Sequence, residues 1–229
     1  MTTFALVHGA WHGAWCWERL APELERLGHE VLAVDLPCDD AAATFTTYAD
    51  LVVRALEGEP EDVVVVGHSL GGLTIPLVVA RRPVRRLVFL CALIAAPGKS
   101  FDEQFAAERG MLIPGHAAGL GERDEQGRRG WVDFELTRAT LYADCTETDV
   151  RAAFERLRPQ ARAPHAEPCP LDALPDVERS YVVCADDRIV DPDWSRRAAR
   201  ERLGVEPVEL PGSHSPFLSR PAELARAIA

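Results

Sequence analysis

Lysine is almost missing: Lys99 stands alone among 229 residues, and the rest of the fixed positive charge is arginine. Chemistry built on a lysine nucleophile therefore has one candidate position. Cations are also outnumbered, and a formal net charge of −11 argues against nucleic acid or an anionic membrane as a partner. The six cysteines, at 16, 38, 91, 145, 169 and 184, form no C-x-x-C pair, no Cys/His spacing suits zinc, and H-E-x-x-H is absent. They read as reduced, buried thiols, with no metal expected. No apolar run is long enough to span a membrane, and the chain enters a strand near Phe4 without a basic leader. A cytoplasmic protein is the expectation.

What is present centres on Asp62 to Gly72. Val63 to Val66 read as a strand buried on both faces, as a parallel strand under helices must be. Gly67-His68-Ser69-Leu70-Gly71 follows, and an apolar helical pattern then runs from Leu73 to Arg81. By chance alone G-x-S-x-G arises in roughly one chain in ten of this size. The flanking strand and helix make it a nucleophile elbow, a turn that lifts the serine hydroxyl above the sheet edge.

Around the elbow, β and α patterns alternate. Strands are expected at 4–7, 31–34 and 86–91, with helices ending near Leu27, before Gly28, and spanning about 48–57. This is an α/β fold with a mostly parallel sheet flanked by helices. The turn His8-Gly9-Ala10 is where this architecture would supply a second oxyanion N–H, from Ala10. The tryptophans at 11, 15 and 17 are expected to pack the following helix.

The rhythm breaks after Ala96-Pro97-Gly98. Residues 97–175 hold no convincing buried strand, but they carry helical patterns near 133–144 and 147–157 and a polar run, 121–130, read as a solvated loop. The core is thus expected at 1–96 and 176–229, with 97–175 an inserted helical lid. Strands resume at 180–185 and 206–210, separated by a helix at 193–203, and a last helix begins near Pro221 with Ser219 as its cap.

A serine hydroxyl needs a base within hydrogen-bond reach, and the base needs a carboxylate to fix its tautomer. In this architecture they follow in the order Ser, acid, His, in loops at the carboxyl ends of later strands. His214 alone of the seven histidines meets both order and loop position; His116 and His165 come too early, and His12 reads as a surface or core residue. Asp186, Asp187 and Asp191 compete as the acid. Asp191-Pro192 looks like a helix cap, and Asp187 is preferred to Asp186.

With those residues placed, the chain resembles the α/β-hydrolase superfamily, and within it the plant methylesterase and hydroxynitrile lyase family with its bacterial esterase relatives. The stretches that carry the resemblance are 6–17, 67–72, Leu141 to Asp149 in the insertion, 183–188 and 212–216. It implies Ser69 as nucleophile, His214 as base, Asp187 as acid, and oxyanion donors from the backbones of Ala10 and Leu70. It implies a serine esterase without cofactor, acting on small to medium carboxylic esters, and relatives suggest a homodimer. The lyases carry lysine after the catalytic histidine and threonine after the first-strand histidine. Here Ser215 and Gly9 stand there, so no cation is placed to receive cyanide. A receptor-like hydrolase with negligible turnover, and C–C or lactone hydrolysis on the same residues, are the other readings.

Overall fold

The structure, a computed structural model, describes residues 1–229. Six strands form one sheet: β1 (Thr3–Val7), β2 (Glu30–Val34), β3 (Val63–His68), β4 (Arg86–Leu90), β5 (Glu178–Cys184) and β6 (Val208–Leu210). Their order is β2-β1-β3-β4-β5-β6, and every pairing is parallel. Ten α-helices accompany them: α1 (Ala21–Arg26), α2 (Phe45–Ala55), α3 (Ile75–Val79), α4 (Phe101–Ala107), α5 (Phe134–Leu141), α6 (Glu147–Phe154), α7 (Ala163–Ala166), α8 (Pro192–Ala198), α9 (Pro216–Ser219) and α10 (Pro221–Ile228).

The valines of β3 are at most 1 % exposed, as a strand covered on both faces requires. Each contributes roughly 1.5–3 kcal/mol through burial. Local chemistry sets the helix starts. Thr44 and Thr47 form a capping box on α2, Ser100 and Glu103 one on α4, and the Asp191 carboxylate accepts from the N–H groups of Asp193 and Trp194 to open α8. Ser219 does not cap α10. The N-cap position falls to Arg220, without a side-chain bond, because Ser219 closes the short helix α9.

Topology places a crevice. The chain runs from β1 outward to β2, then returns to the other side of β1 for β3, so the order reverses between β1 and β3. Ligand sites of open α/β sheets lie at the carboxyl ends of the strands at such a reversal. Val7 pairs with Gly67, so the turns following β1 and β3 emerge side by side. Farther along, Cys184 pairs with Leu210, so Asp187 and His214 also leave the sheet at this edge.

Between β4 and β5 lie α4 to α7 and two short antiparallel bridges, Leu120 with Trp131 and Arg129 with Gln160. A third bridge ties Leu112 to Val190 of the core. The polar run at 121–130 is exposed at its tip but paired at its ends: Gly121 N–H donates to Gly130, and Arg129 and Gln160 exchange backbone bonds of 3.0 and 2.8 Å. It is a pinned excursion rather than a free loop. No helix of the chain is long and apolar enough to cross a membrane. All six cysteines are free, and burial pushes the Cys38 and Cys145 thiols up to about 12.

Candidate active site

Ser69 directly follows β3 and adopts φ +51°, a left-handed conformation that a residue other than glycine holds only when its surroundings enforce it. Those surroundings are close. A Cβ on Gly9 would lie 2.8 Å from the Ser69 Cβ, and one on Gly72 would lie 2.1 Å from the Leu93 carbonyl oxygen. Only glycine lets the β1 turn and the β4 exit press against the elbow in this way. The Ser69 carbonyl accepts from Leu93 N–H at 3.0 Å, locking the elbow to the neighbouring strand end.

Asp187 and His214 meet. His214 Nδ1–H donates to Asp187 Oδ2 at 2.8 Å, while Asp187 Oδ1 accepts from the N–H groups of Ile189 and Val190 at 2.8 and 3.1 Å. Both residues are buried. Asp186, by contrast, is exposed and accepts from Gly212 N–H. The geometry thus joins Asp187, not Asp186, to the histidine, while Asp191 caps α8.

Two strands separate β3 from β6, so the His214 loop must travel back to reach the elbow. Two contacts hold it there. His68 Nε2–H donates to the His214 carbonyl at 2.9 Å, with the two rings 4.6 Å apart. Phe217, fully buried, sets its ring edgewise against His68 and Trp17 at 4.9 and 5.1 Å. Neither the Ser69 hydroxyl nor His214 Nε2 makes a hydrogen bond within the protein, yet neither is sealed from solvent. Ser69 lines the cleft above the elbow, whereas His214 is buried and does not, and catalytic hydrogen bonds tighten on binding.

The other histidines near the elbow are structural. His8 Nδ1–H donates to the Gly9 carbonyl at 2.8 Å, and its Nε2 accepts from Leu36 N–H. In a trans peptide the N–H points opposite to the C=O. Holding the Gly9 carbonyl therefore aims the Ala10 N–H the other way; Ala10 lines the cleft, and its N–H donates to no protein acceptor. Leu70 N–H lies in the first turn of a 3-10 helix, Ser69–Leu73, where N–H groups lack partners within the helix. His12, expected at the surface or in the core, is buried; it donates from Nδ1 to the Ala10 carbonyl and accepts at Nε2 from Tyr142 O–H, both at 2.8 Å. Asp144 from the same inserted stretch accepts from Ser213 Oγ and Arg220, bracing the residue before His214. Sequence reasoning marked Leu141 to Asp149 as distinctive, but the reason, two ties to the site, appears only in three dimensions.

Burial dominates these rings, lowering His8 to about 4 and His12 to about 3, with His68 also well below the ordinary 6.5. Above pH 6.5 the folded and unfolded chains both carry them neutral, and stability is whole. As pH falls from 6.5 toward 4, the unfolded chain takes up protons that the folded one refuses. Stability then declines, by on the order of 1–2 kcal/mol per histidine at about pH 5. Urea unfolding midpoints at about pH 7.5 and about pH 5 should show this loss. Equal midpoints would count against buried neutral histidines.

A cleft of about 310 Å³ opens over the elbow, lined by Ala10, Ser69 and Leu70 from the core and by residues of the insertion. Trp11, expected to pack, both packs against the core and lines the cleft; its φ is +65°, and its indole N–H donates to the Arg129 carbonyl at 2.9 Å. Trp15 and Trp17 pack against the core as well. His116 and His165, set aside on chain order, also face the cleft.

A parallel α/β sheet with a strained serine at its reversal point, beside a buried His–Asp pair, is the layout of a hydrolase scaffold. The comparisons agree, since the model of the "Alpha/beta hydrolase family" matches residues 4–227. The chain belongs to that family. It is 31% identical over 254 residues to the pyrethroid hydrolase of Sphingobium wenxiniae, covering 100% of this chain and 87% of that protein. It is 26% identical over 249 residues to polyneuridine aldehyde esterase of Rauvolfia serpentina, covering 98% of this chain and 93% of the relative. A crystal structure of a pyrethroid hydrolase superimposes with a TM-score of 0.84 at 26% identity, covering 100% of this chain and 96% of the other.

Proposed function

We infer that the protein is a serine hydrolase of small to medium carboxylic esters. The observation that carries this reading is the buried His214–Asp187 pair, pinned through His68 to an elbow serine whose hydroxyl is left free. The relatives named methylesterase, esterase and pyrethroid hydrolase support it. Ser69 Oγ attacks the ester carbonyl carbon while His214 Nε2 takes its proton, and Asp187 stabilises the imidazolium that forms. The carbonyl electrons move to oxygen, and the N–H groups of Ala10 and Leu70 receive that oxyanion, each contributing roughly 3–4 kcal/mol. Collapse expels the alcohol, protonated by His214, and leaves an acyl group on Ser69. Water, deprotonated by His214, then attacks the acyl carbon, releasing the acid and restoring the serine.

In this reading residues 97–175 act as a lid that shapes the acyl and alcohol sites, and the free thiols suit a reducing, cytoplasmic compartment. In this reading the chemistry uses three side chains, two backbone N–H groups and water. A fluorophosphonate probe should add covalently to Ser69, located by peptide mass, and should abolish hydrolysis of short p-nitrophenyl esters in parallel. Labelling elsewhere, or full activity after labelling, would contradict the assignment. Labelling without turnover on any ester of a broad panel would point to a receptor-like role.

A further inference from the structure

The insertion gives the cleft a charge that ester cleavage itself does not require. Its lining holds three arginines, Arg123, Arg129 and Arg162, and one carboxylate, Asp102, an excess of two positive charges (three minus one) in a chain whose net charge is −11. Asp102 is committed to Arg162 at 2.6 Å. Arg123 and Arg129 have no carboxylate partner; their guanidinium groups donate to backbone carbonyls, Arg123 to Gly127 and Arg129 to Gly121 and, at 3.4 Å, Leu120, and Arg129 Nη1 makes no hydrogen bond within the protein. His116 and His165 add nothing to the sum at neutral pH, since burial lowers both, His165 to about 4.

Arg129 is built into the site. Its backbone pairs with Gln160, and its carbonyl receives the indole N–H of Trp11, the residue next to Ala10. The guanidinium thus belongs to a frame continuous with the turn that brings Ala10 to the cleft. The rest of the lining is mostly apolar. That suits a hydrocarbon spacer between two oxygen-bearing ends, and the volume is at the small end of ligand pockets. Apolar walls sharpen the field of the arginines, and the planar guanidinium matches a carboxylate with paired hydrogen bonds.

We infer that the cleft selects esters whose far end carries a carboxylate, received by Arg129 with Arg123, so that the preferred substrates are half-esters of dicarboxylic acids or close analogues. This rests on the ester hydrolase reading above. The test compares kcat/KM for the monomethyl and dimethyl esters of one medium-chain diacid. At low salt the half-ester should be preferred by about tenfold or more. The preference should shrink as salt screens the pairing. The half-ester to diester ratio should fall about tenfold in R129Q, recover in part in R129K, and fall also in R123Q, whose exposed position does not threaten folding. A wild-type enzyme that cleaves the diester as well as or better than the half-ester, or a ratio unmoved in both glutamine variants, overturns the inference while leaving the esterase intact. Failure on both esters together with no labelling of Ser69 would remove both readings.

Discussion

Ser69→Ala is expected to lower kcat for ester hydrolysis on the order of 10⁴-fold or more, with the fold unchanged. The hydroxyl makes no hydrogen bond within the protein, so its removal leaves no buried partner unsatisfied. Alanine tolerates the left-handed backbone no worse than serine, because both carry a Cβ. Thermal midpoints should therefore agree within a few degrees, while steady-state rates on a p-nitrophenyl ester collapse. A variant that keeps more than about one per cent of the rate has a different nucleophile.

Asp187→Asn is expected to cost nearly as much, about 10³- to 10⁴-fold in kcat. Its Oδ1 can still accept from the N–H groups of Ile189 and Val190, so the loop holds its shape. Toward His214, however, an amide NH₂ replaces an oxygen that now accepts the Nδ1–H at 2.8 Å. The ring is driven to the other tautomer, which puts a proton on the nitrogen that must take one from Ser69. Asp186→Asn sits one residue away, in solvent, and should cost less than about tenfold. Rates and thermal midpoints measured on the two variants together separate the acid from its neighbour, and a larger loss in Asp186→Asn would reverse the assignment.

Much of this was legible before any coordinates. A run of four valines can be satisfied only between two covering layers, and G-x-S-x-G at its end can be read as an elbow because a strand precedes it and a helix follows. A parallel sheet sends every strand's carboxyl end to one edge, so loops carrying a serine, an acid and a histidine after different strands can be expected to meet there. The boundaries were looser. The strand expected at 206–210 spans only Val208–Leu210, and the helix expected at 193–203 is α-helical to Ala198, then turns as a π-helix to Leu203. Edge pairing and one extra residue per turn leave little trace in composition.

The sequence by itself determined the periodicities and the elbow, because these depend on spacings of two, three or four positions along one strand or helix, and it picked out the candidate acid and base by their order and loop positions. Only the tertiary structure decided which aspartate touches His214, how Phe217 and His68 carry that loop back across two strands, and why Tyr142 and Asp144 matter from inside the insertion. It also gathered Arg123, Arg129 and Arg162 around one cleft. Those contacts join residues dozens to more than a hundred positions apart. Their energy depends on distance in space, and no local pattern along the chain encodes it.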